Sequence, residues 1–159
     1  MCPPTLYFRD ECVCTGVVLR KQYTHLQTDP YRKMATSYSF RDSEVYQRAQ
    51  VQSQRICEWS RQLPEEEQPS LGAPVREAAG AVAALIAEAW GARHCEQAFQ
   101  ETLAKAHAKA KKTQALLDRA WMHSHLGDEQ HRLFDEAWGR ICTLLRRIMR
   151  CTHSFCRLN

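Results

Sequence analysis

Cys151, His153 and Cys156 stand within six residues of one another, and Cys12 and Cys14 offer two more thiols from near the start of the chain. Thiolate and imidazole are the donors that structural zinc takes, but such a site needs four of them on a rigid frame, usually through Cys-x-x-Cys pairs. No such pair occurs, and Cys12 and Cys14 are only two positions apart, an awkward spacing for sharing one ion. Cys151 also falls on an apolar helical stripe, where a thiol packs as a small hydrophobe. The spacing predicts no metal centre and no cofactor.

Nucleophilic catalysis would need a base beside a nucleophile. His94 and Cys95 are neighbours in sequence, yet adjacent residues on a helix project about 100° apart and do not form a working pair. The chain has no Gly-x-Ser-x-Gly elbow, no glycine-rich phosphate loop and no His-Glu-x-x-His. The carboxylates Glu65, Glu66 and Glu67 fall in a predicted linker, where nothing would shift their pKa. These observations argue against an enzyme and against a small-molecule substrate.

Basic side chains carry the third candidate chemistry. Lys105, Lys109 and Lys112 recur at spacings of 4 and 3, which puts them on one helix face, with His107 and Lys111 close by in sequence. Arg146, Arg147 and Arg150, with Arg140 before them, lie off the apolar stripe of a later helix. Phosphate-binding surfaces need such stripes, and binding through them weakens steeply with salt. The six residues Lys105, Lys109, Lys112, Arg146, Arg147 and Arg150 are therefore candidates for holding nucleic acid or an anionic membrane. The alternative is an ordinary solvated helix surface. The net charge is +4, and residues 102–159 hold 11 basic and 5 acidic side chains, whereas residues 64–101 hold 2 and 7. His123, His125 and His131 flank Gly127 and read either as a pH-responsive cluster or as ordinary turn histidines.

These groups must be positioned by helices. Val45, Ala49, Gln52, Ile56, Trp59 and Leu63 predict a helix over about 42–63, with Gln52 the one polar member and in need of a partner. Residues 64–73, with Pro64, Pro69 and Gly72, read as a linker. A second helix, rich in alanine, is predicted from Pro74 to about Trp90. Phe99, Leu103, Ala106, Ala110, Thr113, Leu117, Ala120 and Ser124 keep the 4, 3 alternation, predicting a long third helix over about 93–126. Gly127 is expected in the left-handed conformation that ends this helix, with Asp128 capping the next. The fourth helix, about 129–151, carries Phe134, Ala137, Ile141, Leu144, Ile148, Cys151 and Phe155, widened by Leu133, Trp138, Leu145 and Met149. Residues 1–40 read as an extension of low order or a short hairpin, and 41–159 as the helical domain.

The expected fold is all-α, an antiparallel bundle of about four helices with a long third helix. Phe99, Leu103, Ala106, Ala110, Leu117, Phe134, Ile141, Leu145 and Ile148 form the candidate protein interface, since the third helix looks long enough to extend into a coiled coil with a second chain. The leading expectation is a non-enzymatic scaffold or adaptor that associates helix on helix, as a homo- or hetero-oligomer. Electrostatic binding of nucleic acid or anionic membrane is the alternative. The start lacks a basic region followed by an apolar run, and the longest apolar run, Ala78 to Ala87, is too short to span a bilayer. That favours the cytosol or nucleus, as does a cysteine pattern without a disulfide framework.

A local likeness adds one more reading. Trp138-Gly139-Arg140-Ile141, following Leu133-Phe134, resembles the helix-opening segment of the Bcl-type apoptosis regulators, and Leu126-Gly127-Asp128-Glu129 resembles part of their death motif. The likeness would imply an apoptosis-regulator-like helical protein. In that family several helices separate the two motifs, whereas here both fall within residues 126–141, and the central hydrophobic hairpin is missing.

Overall fold

The computed structural model describes residues 39–156. The candidate hairpin and Cys12 and Cys14 lie outside them. Ser39 opens the described chain, accepting a hydrogen bond from Arg41 N–H on its hydroxyl at 3.2 Å and capping a single 3-10 turn, Phe40–Asp42. Helix α1, Glu44–Ser60, then buries Val45, Ala49, Ile56 and Trp59, the spacing that its sequence stripe requires. Gln52 on that stripe has its side-chain oxygen buried with no hydrogen-bond partner among the described residues.

The segment expected to be a loose linker is helical. Residues Glu65–Glu67 form a 3-10 turn and Gln68–Gly72 a π turn that runs directly into α2, Ala73–Gly91. Proline is tolerated in a helix's first turn because the missing N–H has no partner there in any case, so Pro69 and Pro74 do not break this path. Gln68 holds it in place. Its amide donates to the backbone oxygens of Ser60 at 2.8 Å and Leu63 at 3.1 Å, and its oxygen accepts from Arg76 Nη1 at 3.0 Å. The same Arg76 nitrogen donates to Ser60 Oγ at 3.0 Å. A Cβ on Gly72 would come within 2.6 Å of Gln68 Oε1 and 3.1 Å of Arg76 Nη1, so glycine leaves room for this network.

The unbroken helical stretch Glu65–Gly91 is long and apolar enough, by composition, to cross a bilayer. This amends the expectation drawn from the shorter run Ala78 to Ala87. Its apolar face is occupied within the bundle, however: Val75, Ala79, Val82, Ile86 and Ala89 are fully buried among the core residues. Small alanines let α1 and α3 approach α2 closely, and α2 packs against both.

Helix α3, Glu96–Met122, is about 40 Å long at 1.5 Å per residue, shorter than its stripe suggested. Phe99, Leu103, Ala106, Ala110, Thr113, Leu117 and Ala120 are all buried; Ser124 is exposed and beyond the helix. The corner corrects the sequence reading. Ser124, not Gly127, adopts the left-handed conformation, with φ 59°. His125 N–H bonds back to Ala120 O at 2.9 Å and Ser124 N–H to Trp121 O at 2.9 Å, closing a Schellman-type end. Gly127 is instead the extended N-cap of α4, Asp128–Arg150, with φ −74° and ψ 157°. Asp128 is the first helical residue, and its carboxylate accepts from Trp121 Nε1 at 2.7 Å.

Helix α4 buries Phe134, Trp138, Ile141, Cys142, Leu145 and Ile148. Its buried stripe is rotated slightly from the expected one, so Leu133 is 52% exposed. A short α5, Thr152–Cys156, follows. Each helix from α1 to α4 packs on the next, and α4 returns to α1, which closes an antiparallel four-helix bundle. The described residues are all-α, as their periodicity predicts.

Candidate nucleic-acid interface

The nine residues expected to meet a partner lie inside this chain. Phe99, Leu103, Ala106, Ala110, Leu117, Phe134, Ile141, Leu145 and Ile148 are each at most 6% exposed and belong to one core. The long seam of α3 is covered by α2 and α4 of the same chain. Burying each large apolar side chain contributes about 1.5–3 kcal/mol, and that gain is realised within a single chain.

The antiparallel course of α3 and α4 sets the charge pattern. At the corner, His131 Nε2 of α4 stands 2.8 Å from Asp118 Oδ1 of α3. Further along, Gln114 donates to Asp135 at 2.6 Å, and the Cys142 thiol points to Gln114 Oε1 at 3.7 Å. Beyond that, His107 and Lys111 of α3 face Arg146 of α4. Burial first, then the charges of Arg146 and Lys111, hold His107 below the ordinary histidine value. Its Nε2 is buried with no hydrogen-bond partner among the described residues. Burial pushes the Cys142 thiol up, against the opposing pull of Lys111 and Arg146.

This register lays one basic segment along another. Residues 102–117 hold four lysines and no carboxylate, and residues 139–150 hold four arginines and no carboxylate. The five acids of residues 102–159 are confined to 118–136, at the corner. The α3–α4 hairpin is therefore acidic at its turn and basic over residues 102–117 and 139–150, with Glu96 and Glu101 at the far end of α3.

The six expected anion-binding residues do not form a single stripe. Lys109 turns toward α2 and pairs with Glu77 at 3.4 Å. Lys105 and Lys112 are exposed and make no ion pair among the described residues. Arg146 lies on the flank of α4 that meets α3, donating to Thr143 at 3.5 Å. Arg147 and Arg150 are exposed on α4, and each is engaged in an interaction. Sequence spacing did not single out the approach of Lys111 and Arg146 to the same two groups, His107 and Cys142, from opposite helices. Spacing along one helix reports its own faces and says nothing about the register between two helices.

Among the described residues, the remaining chemistry-bearing groups do not assemble for catalysis. Ser70 Oγ donates to Glu67 Oε2 at 2.5 Å, and His125 Nε2 stands 3.9 Å from Glu67 Oε1. The carboxylate thus lies between serine and histidine, so the imidazole cannot take the serine proton. The Ser70 hydrogen bond, reinforced by the charges of His125 and Arg119, holds Glu67 below the usual carboxylate range. Cys151 and Cys156 pack against the core, and among the described residues no group of three or more His, Cys, Asp or Glu side chains is placed to hold a metal ion.

An antiparallel four-helix bundle with a carboxylate-free basic stretch across two adjacent helices is the class that fold and surface define. Residues 41–154 match the family of 23S rRNA-intervening sequence proteins, and the chain belongs to that family. The match covers 114 of 159 residues and takes in the segment that resembles the apoptosis regulators, whose likeness is confined to a few positions. No curated protein and no solved structure matches the chain significantly.

Proposed function

We propose that this chain binds nucleic acid, RNA foremost, through the basic stretch of α3 and α4, as a non-enzymatic protein of the cytosol or nucleus. One observation carries the reading: Lys111 and Arg146 both act on His107 across the α3–α4 contact, within segments 102–117 and 139–150 that hold no carboxylate of their own. Like charges held at close range repel, and a polyanion relieves that repulsion while releasing its own counterions. The family's description, which refers to an intervening sequence of 23S rRNA, makes RNA the first ligand to try. Lys105 and Lys112 extend the surface around α3, and Arg140 extends it around α4. The adaptor reading has less support, because its candidate residues are spent on the chain's own core.

The test is fluorescence anisotropy with a short structured RNA, a DNA duplex of equal charge and anionic vesicles, over a range of salt. Observed affinity for RNA should fall linearly with salt on logarithmic axes. Replacing Lys111 and Arg146 together by glutamate should flatten that slope by about 1.5 and weaken binding at least tenfold. Equal binding by wild type and the double variant would remove the proposal. Preference for vesicles over both nucleic acids would replace it with the membrane reading.

A further inference from the structure

Gly139 sits in the interior of α4, where glycine is the entropically costly choice. Nothing in the fold asks for it: its φ is not positive, and a Cβ built there meets no atom within 4 Å. Gly72, by contrast, makes room for Gln68 and Arg76 inside the bundle. The space at Gly139 opens outward, on the flank of α4 that meets α3.

Side-chain bonds fix what surrounds that space. Asp135, one turn before Gly139, accepts from Gln114 Nε2 at 2.6 Å, and Cys142, three residues after it, points its thiol to Gln114 Oε1 at 3.7 Å. Residues three and four apart on a helix share a face, so Gly139 lies at the level of Gln114 across the α3–α4 groove. Lys111 is held at the same level, its Nζ donating to Gln114 Oε1 at 2.9 Å. On the α4 side, Arg146 Nη2 donates to Thr143 Oγ1 at 3.5 Å, and that hydroxyl donates to Gly139 O at 2.9 Å. Both cations rest on neutral oxygens, and neither has an ion pair among the described residues. The helix surface thus has a gap one side chain deep, with a lysine on one helix beside it and an arginine on the other.

We infer that Gly139 is a notch kept free of a side chain so that an RNA phosphodiester lies against α4 within reach of Lys111 and Arg146. This deepens the RNA-binding reading and rests on it. The non-bridging phosphate oxygens accept charge-assisted hydrogen bonds from ammonium and guanidinium groups. Such contacts set the position of the strand and carry no base preference. The notch adds what scattered cations lack, a place where the ligand's backbone comes into van der Waals contact with the protein's own. Asp135 repels phosphate on the corner side, and residues 139–150 hold no carboxylate, so the strand runs from Gly139 toward Arg150.

The experiment compares wild type, Gly139→Ala, Gly139→Leu and Gly91→Leu by fluorescence anisotropy with the same short structured RNA, with a thermal melt of each. Gly91, at the end of α2, also has open space around an added Cβ and serves as the control. Both Gly139 variants should melt no lower than wild type. Gly139→Leu should bind RNA about tenfold more weakly and Gly139→Ala about threefold, with a smaller change of salt slope than the Lys111→Glu, Arg146→Glu double variant gives. Gly91→Leu should bind as wild type does. Undiminished binding by Gly139→Leu, while the double variant loses it, would overturn the notch and leave the RNA reading standing. Equal weakening by Gly91→Leu would overturn it too, since a leucine would then act anywhere on the surface. Absence of salt-dependent RNA binding by the wild type would end both readings. Should Gly139→Leu melt lower, Gly139→Ala decides, and unchanged affinity there would strike the notch.

Discussion

The indole N–H of Trp59 donates to the backbone oxygen of His125, 66 positions along the chain, at 3.3 Å. The same ring meets Phe134 edge-on with centroids 6.2 Å apart. One side chain of α1 therefore ties down both the corner that follows α3 and the start of α4.

Trp59→Phe keeps most of the buried surface and loses the hydrogen bond, leaving the His125 carbonyl without this donor. Stability should fall by about 1–2 kcal/mol. Trp59→Ala should cost about 3–5 kcal/mol, because the ring's cavity would also remain. Urea unfolding of both variants separates the polar contribution from the packing contribution.

The α3–α4 corner places its residues against local preference. Ser124 takes φ 59°, a conformation in which a side chain costs about 1 kcal/mol and glycine almost nothing. Gly127 occupies an N-cap with nothing within 4 Å of an added Cβ, where serine can bond an orphan N–H. Ser124→Gly should raise stability by about 1 kcal/mol, and Gly127→Ser by a few tenths. Thermal denaturation of the single and double variants checks both signs.

Gly80 lies in the middle of α2, and a Cβ there would meet only Ser53 Oγ, at 3.9 Å. Glycine inside a helix is entropically unfavourable, so Gly80→Ala should stabilise the fold by about 0.5–1 kcal/mol. A decrease in the unfolding midpoint would show that α1 and α2 approach more closely than these positions allow.

Much of this architecture was legible in sequence, for identifiable reasons. Val45, Ala49, Ile56 and Trp59, or Phe99 through Ala120, announce helices because each stripe is buried along one side. The 64–73 segment was misread because Pro69, Gly72 and Pro74 look like breakers, whereas prolines are compatible with an opening turn and Gly72 admits the Gln68–Arg76 network. At the corner, residue preference pointed to Gly127, but backbone hydrogen bonding selected Ser124. The candidate surface was half legible. The lysines and arginines were evident, but the approach of Lys111 and Arg146 to the same two groups depends on how two helices are offset.

That approach makes an unusual prediction about charge. Lys111→Glu turns a repelling neighbour of Arg146 into an attracting one, so the fold should gain a few tenths of a kcal/mol. RNA affinity should fall in the same variant. Calorimetry and anisotropy on one sample would expose these opposite signs, and a loss of both would indicate structural damage.

His107 supplies the pH dependence. Burial and its two cationic neighbours hold its pKa below 6.5 in the fold, so the unfolded chain binds this proton more readily. The stability contributed by the neutral ring is complete above the unfolded value. It is lost as pH falls through 6.5 and levels off below the folded value. Unfolding free energy should decrease over that interval, and His107→Gln should flatten the decrease. An unchanged profile in the variant would assign the acid sensitivity to other groups.

Because Trp138, Ile141 and Leu145 clamp α4 in place, its arginines cannot drift from the lysines of α3 as they would on an unstructured tail. The electric field over that surface is as rigid as the hydrophobic contacts beneath it. Loosening the two helices would discharge it, so anything that unfolds this hairpin also disperses the cations that α3 and α4 hold in place.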